Sequence, residues 1–268
     1  MSGIEFNRVC RVYHASARTI VALQDISLTI ADREFVAIVG PSGCGKTTCL
    51  RMAAGFDFPS SGSVRVGERA VRGPGPDRAV VFQHFALFPW MTVTANIMLG
   101  LRNAKVPKAE AEQRVANVLE LMNLQGNEKA FPHQLSGGMQ QRVAIARAYV
   151  LDPEVLLMDE PFGALDAQTR VLMQEELVRL ARVNPRTVLF ITHAVEEAIY
   201  LADHVVVMTR GPGKIKTIIP VKPVRESEAW DRKERIEDVM NEPSFVQLRT
   251  EIWRLLREEQ KGATLKQS

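Results

Sequence analysis

Three short segments of this chain carry residue types and spacings that suit phosphate chemistry. Residues 40–47 read Gly-Pro-Ser-Gly-Cys-Gly-Lys-Thr, where glycines let backbone N–H groups approach an anion and a lysine adds positive charge. Asp159 and Glu160 follow an apolar run, and residues 135–142 read Leu-Ser-Gly-Gly-Met-Gln-Gln-Arg. The first segment alone indicates only that the chain binds a nucleotide. The three segments in this order indicate which class of nucleotide-binding enzyme it belongs to.

The first segment fits the phosphate-loop pattern G-x-x-x-x-G-K-[ST] and lies between a strand candidate, residues 35–39, and a helix that opens at Lys46. The helix N-terminus adds a partial positive charge. We expect Lys46 to contact the β- and γ-phosphates of ATP and Thr47 to ligate Mg²⁺. A chance glycine-rich turn is the alternative, and the flanking strand and helix argue against it. The predicted nucleotide contacts of this loop are Gly40, Ser42, Gly43, Cys44, Gly45, Lys46, Thr47 and Thr48.

The second segment ends an apolar run, residues 155–158, that is typical of a buried strand. The carboxyl ends of parallel strands open where ligands of α/β sheets bind. Asp159 is therefore predicted to hold Mg²⁺, directly or through water, and Glu160 to polarise the attacking water as general base. Without a phosphate loop in the same chain, an ordinary acidic strand end would be the better interpretation.

Two kinds of strand pattern flank these segments. Ile26, Leu28 and Ile30 alternate with polar residues, as do Val64 and Val66, which predicts half-buried antiparallel strands. Short continuous apolar runs predict strands buried on both faces, and hence a parallel central sheet. These runs are residues 35–39, 79–82, 155–158, 188–192 and 205–208.

Helical patterns occupy the middle and the end of the chain. Residues 89–150 are predicted to be largely helical, with apolar residues at helical spacing near Val115 and a helix from Met139 to Val150. After Pro223 an amphipathic stripe predicts a C-terminal helical appendage; its members are Phe245, Leu248, Ile252 and Leu255. We expect a main domain over residues 1–223 and the appendage over residues 224–268.

Composition limits the possible partners and compartment. Lys and Arg total 34 against 31 Asp and Glu, a net charge of +3, which gives no sign of a nucleic-acid surface. The N-terminus lacks a signal-peptide core, and no apolar run approaches the roughly 18 residues needed to cross a bilayer, so we expect a cytoplasmic location. Three cysteines, Cys10, Cys44 and Cys49, have no metal-binding spacing and are expected to be reduced thiols.

With these motifs the chain resembles the ATP-binding subunit of an ABC transporter, and more narrowly the nitrate, sulfonate and taurine import family. The narrower resemblance rests on residues 73–78, 87–90, 159–166 and the tail around 245–256. It implies an α/β fold: a P-loop NTPase core with an antiparallel β subdomain, a helical subdomain at about 89–150 that carries the signature motif, and the C-terminal appendage.

The resemblance also assigns roles to residues. Ser136, Gly137 and Gly138 form the signature that caps the γ-phosphate of ATP bound to the other subunit of a dimer, although a simple helix N-cap by Ser136 fits equally well locally. Gln83 senses Mg²⁺ and water, and His193 contacts the γ-phosphate. Further roles implied by the resemblance fall to Asp166, in the inter-subunit loop, and Tyr13, which stacks on adenine unless it is simply a half-buried strand tyrosine.

Some positions depart from the family pattern or allow two interpretations. Ala194 follows His193 where Asp is usual, which leaves the local support of His193 open. Cys44 is either a thiol whose modification blocks nucleotide or a buried, inert one. The apolar segment 85–91 either lines a groove for a membrane partner or belongs to the core. Two further departures, Asp32-Arg33 before Glu34 and Cys49, remove no phosphate contact.

The resemblance therefore implies an ATPase that dimerises on ATP and drives a transmembrane permease at the inner face of the membrane, with a solute-binding protein as an indirect partner. Uptake of a small anionic solute such as nitrate, a sulfonate or taurine is expected, with no nucleic-acid partner. Two alternatives fit the sequence less well. A non-transport ABC ATPase of DNA repair or translation needs a coiled-coil insertion or a second cassette, and a regulatory subunit without turnover would lack Glu160 or His193.

Overall fold

The computed structural model describes residues 2–15, 18–233 and 235–264. The chain forms two compact units, one made of Met1–Gly75 with Arg186–Ser268 and the other of Pro76–Pro185. No helix in the described ranges is long and apolar enough to cross a lipid bilayer.

Strands and helices alternate through most of the chain. In chain order they are β1 (Ile4–Ala15), β2 (Arg18–Ile30), β3 (Phe35–Val39), α1 (Lys46–Ala54), β4 (Ser61–Val66), β5 (Arg69–Ala70), β6 (Arg78–Val81), α2 (Val93–Asn103), α3 (Lys108–Leu121), α4 (Gly137–Tyr149), β7 (Val155–Asp159), α5 (Ala167–Val183), β8 (Thr187–Ile191), α6 (Val195–Leu201), β9 (His204–Met208), β10 (Ile215–Pro220), α7 (Lys222–Ser227), α8 (Ile236–Met240) and α9 (Pro243–Thr264). Short 3₁₀ helices cover Pro132–Gln134 and Trp230–Arg232.

An antiparallel sheet of order β2-β1-β4-β5 forms one part of the first unit. Its buried side chains alternate as the sequence predicted: Ile26, Leu28 and Ile30 on β2 are buried, as is the Val64 and Val66 pair on β4. The alternation arises because successive strand residues face opposite sides of the sheet, and only one side packs on the core.

The second sheet of this unit is mostly parallel. β3 pairs in parallel with β8 and with β9, and β10 adds antiparallel to β9. All five residues of β3 and of β8 are buried, which explains their uninterrupted apolar sequences. β8 begins one residue earlier and ends one residue earlier than the predicted strand, so Thr192 follows the strand.

In the second unit β6 and β7 pair in parallel, and the remaining elements are helices. β7 is buried along the run that the sequence indicated. The prediction of a fully buried strand over 79–82 was wrong: β6 alternates between buried and half-buried residues, and Phe82, beyond its end, is 42% exposed. Helices α2, α3 and α4 lie within residues 89–150, as expected.

The C-terminal helices belong to the first unit, where α9 packs against α6, α8 and β9. Phe245 and Ile252 are fully buried, as the amphipathic stripe predicted. The stripe continues through Leu256 instead of Leu255, which is only half-buried. The expected domain boundary at residue 223 remains a prediction.

Candidate functional site

The phosphate loop connects β3 to α1 through backbone that favours glycine. Gly43 and Gly45 have φ values of 76° and 98°, in the left-handed region. A Cβ at Gly45 would lie 2.4 Å from Leu23 Cδ2, so this position excludes a side chain for steric reasons as well. Ser42, Gly43 and Thr47 are exposed on the loop and the first helical turn.

The electrostatics of this loop suit an anion. α1 begins at Lys46 with no acidic residue in its first turn, so nothing there offsets the positive helix end. Lys46 is 8% exposed, and its ammonium group donates to the carbonyl oxygens of Gly40 at 2.8 Å and Pro41 at 3.3 Å. These carbonyls hold the lysine at the loop that is expected to cradle phosphate.

A second segment, around Gly213, packs against the backbone of the phosphate loop. Gly213 donates its N–H to Ala22 O at 3.0 Å, and a Cβ at Gly213 would lie 1.9 Å from Cys44 O. A glycine is therefore required where this segment touches the loop backbone. No local motif predicts this contact, because Gly213 lies 169 residues beyond Cys44.

Cys44 and Cys49 are both buried beneath this loop, with side chains 0% and 1% exposed. Burial raises the pKa of Cys44 despite the opposing charge of Lys46. Burial also raises the pKa of Cys49 to about 12, with the neighbouring Cys44 adding to the shift. Of the two interpretations of Cys44, the geometry favours the buried, inert thiol.

Tyr13 is half-buried on β1 and held from two sides. Its hydroxyl donates to Asp57 Oδ2 at 2.5 Å, and the Arg11 guanidinium lies 4.4 Å from the ring centroid. Arg11 also pairs with Asp57 Oδ1 at 2.7 Å. This three-residue cluster fixes the orientation of the ring, and no local motif predicts it. Adenine stacking by Tyr13 stays a prediction.

In the second unit the carboxylates lie where β7 ends. Asp159 is the last residue of β7, and Glu160 follows it with φ of 46°, a left-handed conformation that is uncommon for a non-glycine residue. Gly163 donates its N–H to Glu160 O at 3.0 Å and closes the turn. A Cβ at Gly163 would lie 3.1 Å from Gln83 Nε2, so the structure brings Gln83 to the Glu160 turn.

The signature segment opens helix α4. Ser136 is the N-cap, and its Oγ accepts from Met139 N–H at 3.3 Å, so the local capping interpretation describes what the serine does within this chain. Ser136 and Gly137 are exposed, and Gly138 is buried. The capping bond does not exclude phosphate contact, because it uses one of the two hydroxyl lone pairs.

Helix α5 fixes the position of α4 within the same unit. A Cβ at Gly138 would lie 2.5 Å from Thr169 Cγ2, which places the start of α4 in close contact with the first turn of α5. Further along, Arg142 Nε pairs with Glu176 Oε2 at 2.9 Å. Burial raises the pKa of Glu176, and the Arg142 charge opposes that shift.

Asp166, which the resemblance assigned to an inter-subunit loop, is the N-cap of α5. Its Oδ1 accepts from Thr169 N–H at 3.0 Å, and this hydrogen bond lowers the pKa of the carboxyl below its usual value. The aspartate is exposed, so its inter-subunit role stays a prediction.

The loop after Gln83 is pinned at both ends. Arg147 of α4 donates to Ala86 O at 2.8 Å and to Phe85 O at 3.4 Å. The fully buried Asn96 accepts from Phe88 N–H at 2.9 Å, and its amide donates to three backbone carbonyls of the loop at 3.0 to 3.2 Å. Trp90, near the end of the loop, is 70% exposed.

His193 lies in the first unit, exposed, immediately after β8 and the buried Thr192. The absence of Asp at position 194 leaves α6 without a side-chain N-cap, as Ala194 makes no capping bond. Instead Thr192 Oγ1 accepts from Ala194 N–H at 3.0 Å and donates to Glu197 Oε2 at 2.5 Å. No sequence motif predicted this arrangement.

The family model for ABC transporters matches residues 23–163 of this chain, which include the phosphate loop, the Ser-Gly-Gly segment and the Asp159-Glu160 strand end. The chain belongs to the ABC transporter family. It is an ATPase of that family, and its α/β fold is that of the ABC ATPase cassettes.

Similar proteins support this assignment over almost the whole chain. An uncharacterised ABC transporter ATP-binding protein of Methanocaldococcus jannaschii is 47% identical over 81% of this chain and 82% of its own length. The nitrate import ATP-binding protein NrtD of Synechococcus elongatus is 44% identical over 92% of this chain and 89% of its own length. The bicarbonate transport ATP-binding protein CmpD of Synechocystis is 42% identical over 92% of this chain and 86% of its own length.

Solved structures agree. The dimeric structure of a bacterial ABC transporter cassette superposes with a TM-score of 0.72 at 31% identity, covering 81% of this chain and 98% of that one. The same cassette in a post-hydrolysis state bound to ADP and phosphate also gives a TM-score of 0.72, at 30% identity and the same coverage.

Proposed function

We propose that this ABC ATPase powers the uptake of a small anionic solute, such as nitrate, bicarbonate, a sulfonate or taurine, through a transmembrane permease. The observation that carries this proposal is the similarity to nitrate and bicarbonate ATP-binding proteins over 92% of the chain, well beyond the matched family segment. A small anion is the solute class that those two names share.

The phosphate loop supplies the nucleotide site of this proposal. Lys46 neutralises charge on the β- and γ-phosphates, and backbone N–H groups of residues 42–48 cradle their oxygens. The open left-handed backbone at Gly43 and the uncapped positive end of α1 support this role. Tyr13, held by Arg11 and Asp57, is the proposed adenine platform.

Mg²⁺ is the proposed cofactor because the predicted site residues include hard oxygen donors. The exposed Thr47 hydroxyl follows Lys46 in α1, and the Asp159 carboxylate ends β7. Hydroxyl and carboxylate oxygens, completed by phosphate oxygens and water, are the ligands that Mg²⁺ prefers. When bound, the ion would neutralise charge on the transferred phosphate.

Hydrolysis requires a positioned water. Glu160 is the proposed general base, Gln83 the residue that orients water and senses the ion, and His193 the contact to the γ-phosphate. The proximity of Gln83 to the Glu160 turn supports a shared task for these two residues.

The working form is proposed to be a dimer in which Ser136, Gly137 and Gly138 of one subunit cap ATP held by Lys46 of the other. The exposed Ser136 at the positive end of the thirteen-residue helix α4 supports this capping role. Similarity to a cassette solved as a dimer supports it too. Asp166 would lie between the two sites.

The permease contact is proposed to use the loop that follows Gln83. Phe88 and Trp90 form a ring contact with centroids 5.5 Å apart, and the high exposure of Trp90 favours a surface role over the core interpretation. The ATPase would thereby lie on the inner face of the membrane.

A gene-deletion strain tests the proposal. Uptake of labelled nitrate, bicarbonate and taurine is compared in cells that lack this protein and in cells that regain either the wild-type chain or Lys46→Ala. We expect the deletion strain to lose uptake of one of these solutes and to recover it only when the wild-type chain is restored. Normal uptake of all three solutes in the deletion strain would contradict the proposed solute class.

A further inference from the structure

We infer that Thr192 and Glu197 are positioning residues that hold the backbone of His193 for ATP hydrolysis. This inference rests on the role proposed above for His193. It concerns how the chain orients that residue without the aspartate that usually follows it.

The Thr192 hydroxyl joins the end of β8 to the first turn of α6 through two hydrogen bonds. It accepts from the N–H of Ala194, the N-cap of α6, and donates its proton to Glu197 at the third helical position. A hydroxyl has one proton to donate, so the bond to the carboxylate fixes the rotor and aims a lone pair at Ala194. His193 lies between Thr192 and Ala194, the two residues that the first of these bonds joins.

This arrangement resembles a capping box with a hydroxyl inserted. In the usual motif an N3 glutamate bonds directly to the N-cap N–H, and the N-cap side chain bonds back to the helix. Ala194 has no side chain that can do so, and its N–H reaches Glu197 through Thr192. The result replaces the missing local support of His193.

The connection is buried, which gives it rigidity. Thr192 is 1% exposed and Glu197 is 6% exposed, whereas His193 between them is exposed. Thr192 N–H also donates to Ile38 O at 3.3 Å and so extends the pairing of β8 with β3. An exposed histidine is thus attached to a fixed base, which suits a residue that must meet a phosphate in one geometry.

Steady-state ATPase assays on Thr192→Val and Thr192→Ser test the inference. Valine keeps the volume of threonine and loses both hydrogen bonds, so kcat should fall about 10- to 100-fold with KM for ATP unchanged. Serine keeps the hydroxyl and should retain near-normal kcat. Equal kcat in the valine and serine variants would overturn the inference.

Thr187→Val is the matched control. Thr187 is 0% exposed on the same strand, and its hydroxyl accepts from Arg33 N–H at 2.9 Å, remote from the turn. It should lose thermal stability as Thr192→Val does and yet keep a normal kcat. A similar loss of kcat in both variants would mean that general stability explains the effect, and would overturn the inference.

A double-variant cycle separates this inference from the role of His193. If Thr192 acts through His193, adding Thr192→Val to His193→Ala should lower kcat no further. A full additional loss would overturn the inference alone, whereas normal kcat in His193→Ala would overturn the proposed role of His193. If Thr192→Val does not fold, Glu197→Met is tested instead. Methionine keeps the length of the side chain and removes the acceptor of the Thr192 hydroxyl proton, so kcat should fall in the same way and should fall no further when His193→Ala is added.

Discussion

Burial governs the chemistry of the thiols near the nucleotide. Cys44 and Cys49 are enclosed, and burial raises the pKa of both, so little thiolate forms at neutral pH. Cys10 is only half-buried. We expect maleimide to label Cys10 first in the native chain, and all three cysteines at similar rates in urea.

Peptide mapping by mass spectrometry checks this expectation, with the urea sample as the control for intrinsic reactivity. Labelling of native Cys44 as fast as Cys10 would show that the loop opens readily, and would restore the alternative in which a thiol reagent blocks nucleotide.

Glu160 provides the second residue-scale prediction. Glu160→Gln keeps the size of the side chain and removes the base, so hydrolysis should slow by roughly 10² to 10⁴ while ATP still binds. Single-turnover hydrolysis and equilibrium binding of labelled ATP measure the two properties separately. Unchanged turnover would refute the general-base role, and lost ATP binding would point to a structural one.

At the scale of elements, the segment around Gly213 packs against the backbone of the phosphate loop at Cys44. In Gly213→Ala the new methyl group meets Cys44 O, and overpacking of this kind costs roughly 1 to 3 kcal/mol. If the loop moves to relieve the contact, the Kd for ATP should rise about tenfold.

Isothermal titration with a non-hydrolysable ATP analogue measures this effect. Gly73→Ala is the matched control, because a Cβ at Gly73 meets nothing within 4 Å. Equal affinity in the two variants would mean that the loop does not depend on this support.

The loop after Gln83 depends on Asn96 in a comparable way. Asn96→Ala removes four hydrogen bonds from buried surroundings, and unsatisfied groups left behind cost about 1 to 3 kcal/mol each. The free energy of unfolding should fall by about 2 to 4 kcal/mol.

Denaturant titration tests this loss against Asn117→Ala on α3, where an exposed asparagine accepts a single bond from Gln113. The Asn117 variant should change stability by less than about 0.5 kcal/mol. Similar small losses in both variants would show that Asn96 does not hold the loop.

Patterns along the chain predicted the elements better than the contacts between them. Uninterrupted apolar runs predicted β3, β7 and β8 because strands buried on both faces leave no polar positions. The prediction failed at Phe82, where apolar character reflects an exposed surface instead of a core. Hydropathy cannot distinguish these two cases.

The same limit applies to the candidate site. The phosphate loop and the strand-end carboxylates are local motifs and were found from sequence. The supports from Gly213, Asn96 and Thr192 were not. Gly213 meets Cys44 across a long stretch of sequence, and Asn96 and Thr192 bond to neighbours in irregular turns that match no recognised motif.

At the scale of the whole molecule, the proposed dimer makes a sharp prediction. A mixed dimer of one Lys46→Ala subunit and one Ser136→Arg subunit concentrates both defects in one site if each ATP lies between subunits. With Glu160→Gln in both subunits, one occluded ATP per dimer is expected. No occluded ATP, with both subunits folded and dimeric, would contradict the head-to-tail arrangement.

The C-terminal tail is attached to the first unit at several points. Lys216 of β10 pairs with Glu258 at 2.9 Å and Glu259 at 2.8 Å, and donates to Leu255 O at 3.1 Å. Trp230 and Phe245, both buried, lie with ring centroids 5.6 Å apart. α9 also packs on α6, the helix that contains Glu197.

These attachments limit which tails can be joined to residues 1–223 in a chimeric protein. A chimera that joined residues 1–223 to the tail of a relative would have to match the underside of α6 and the lysine on β10, or leave both uncovered. The tail and the surfaces of α6 and β10 that it covers therefore have to match each other, even though no residue of the tail belongs to a nucleotide-binding motif.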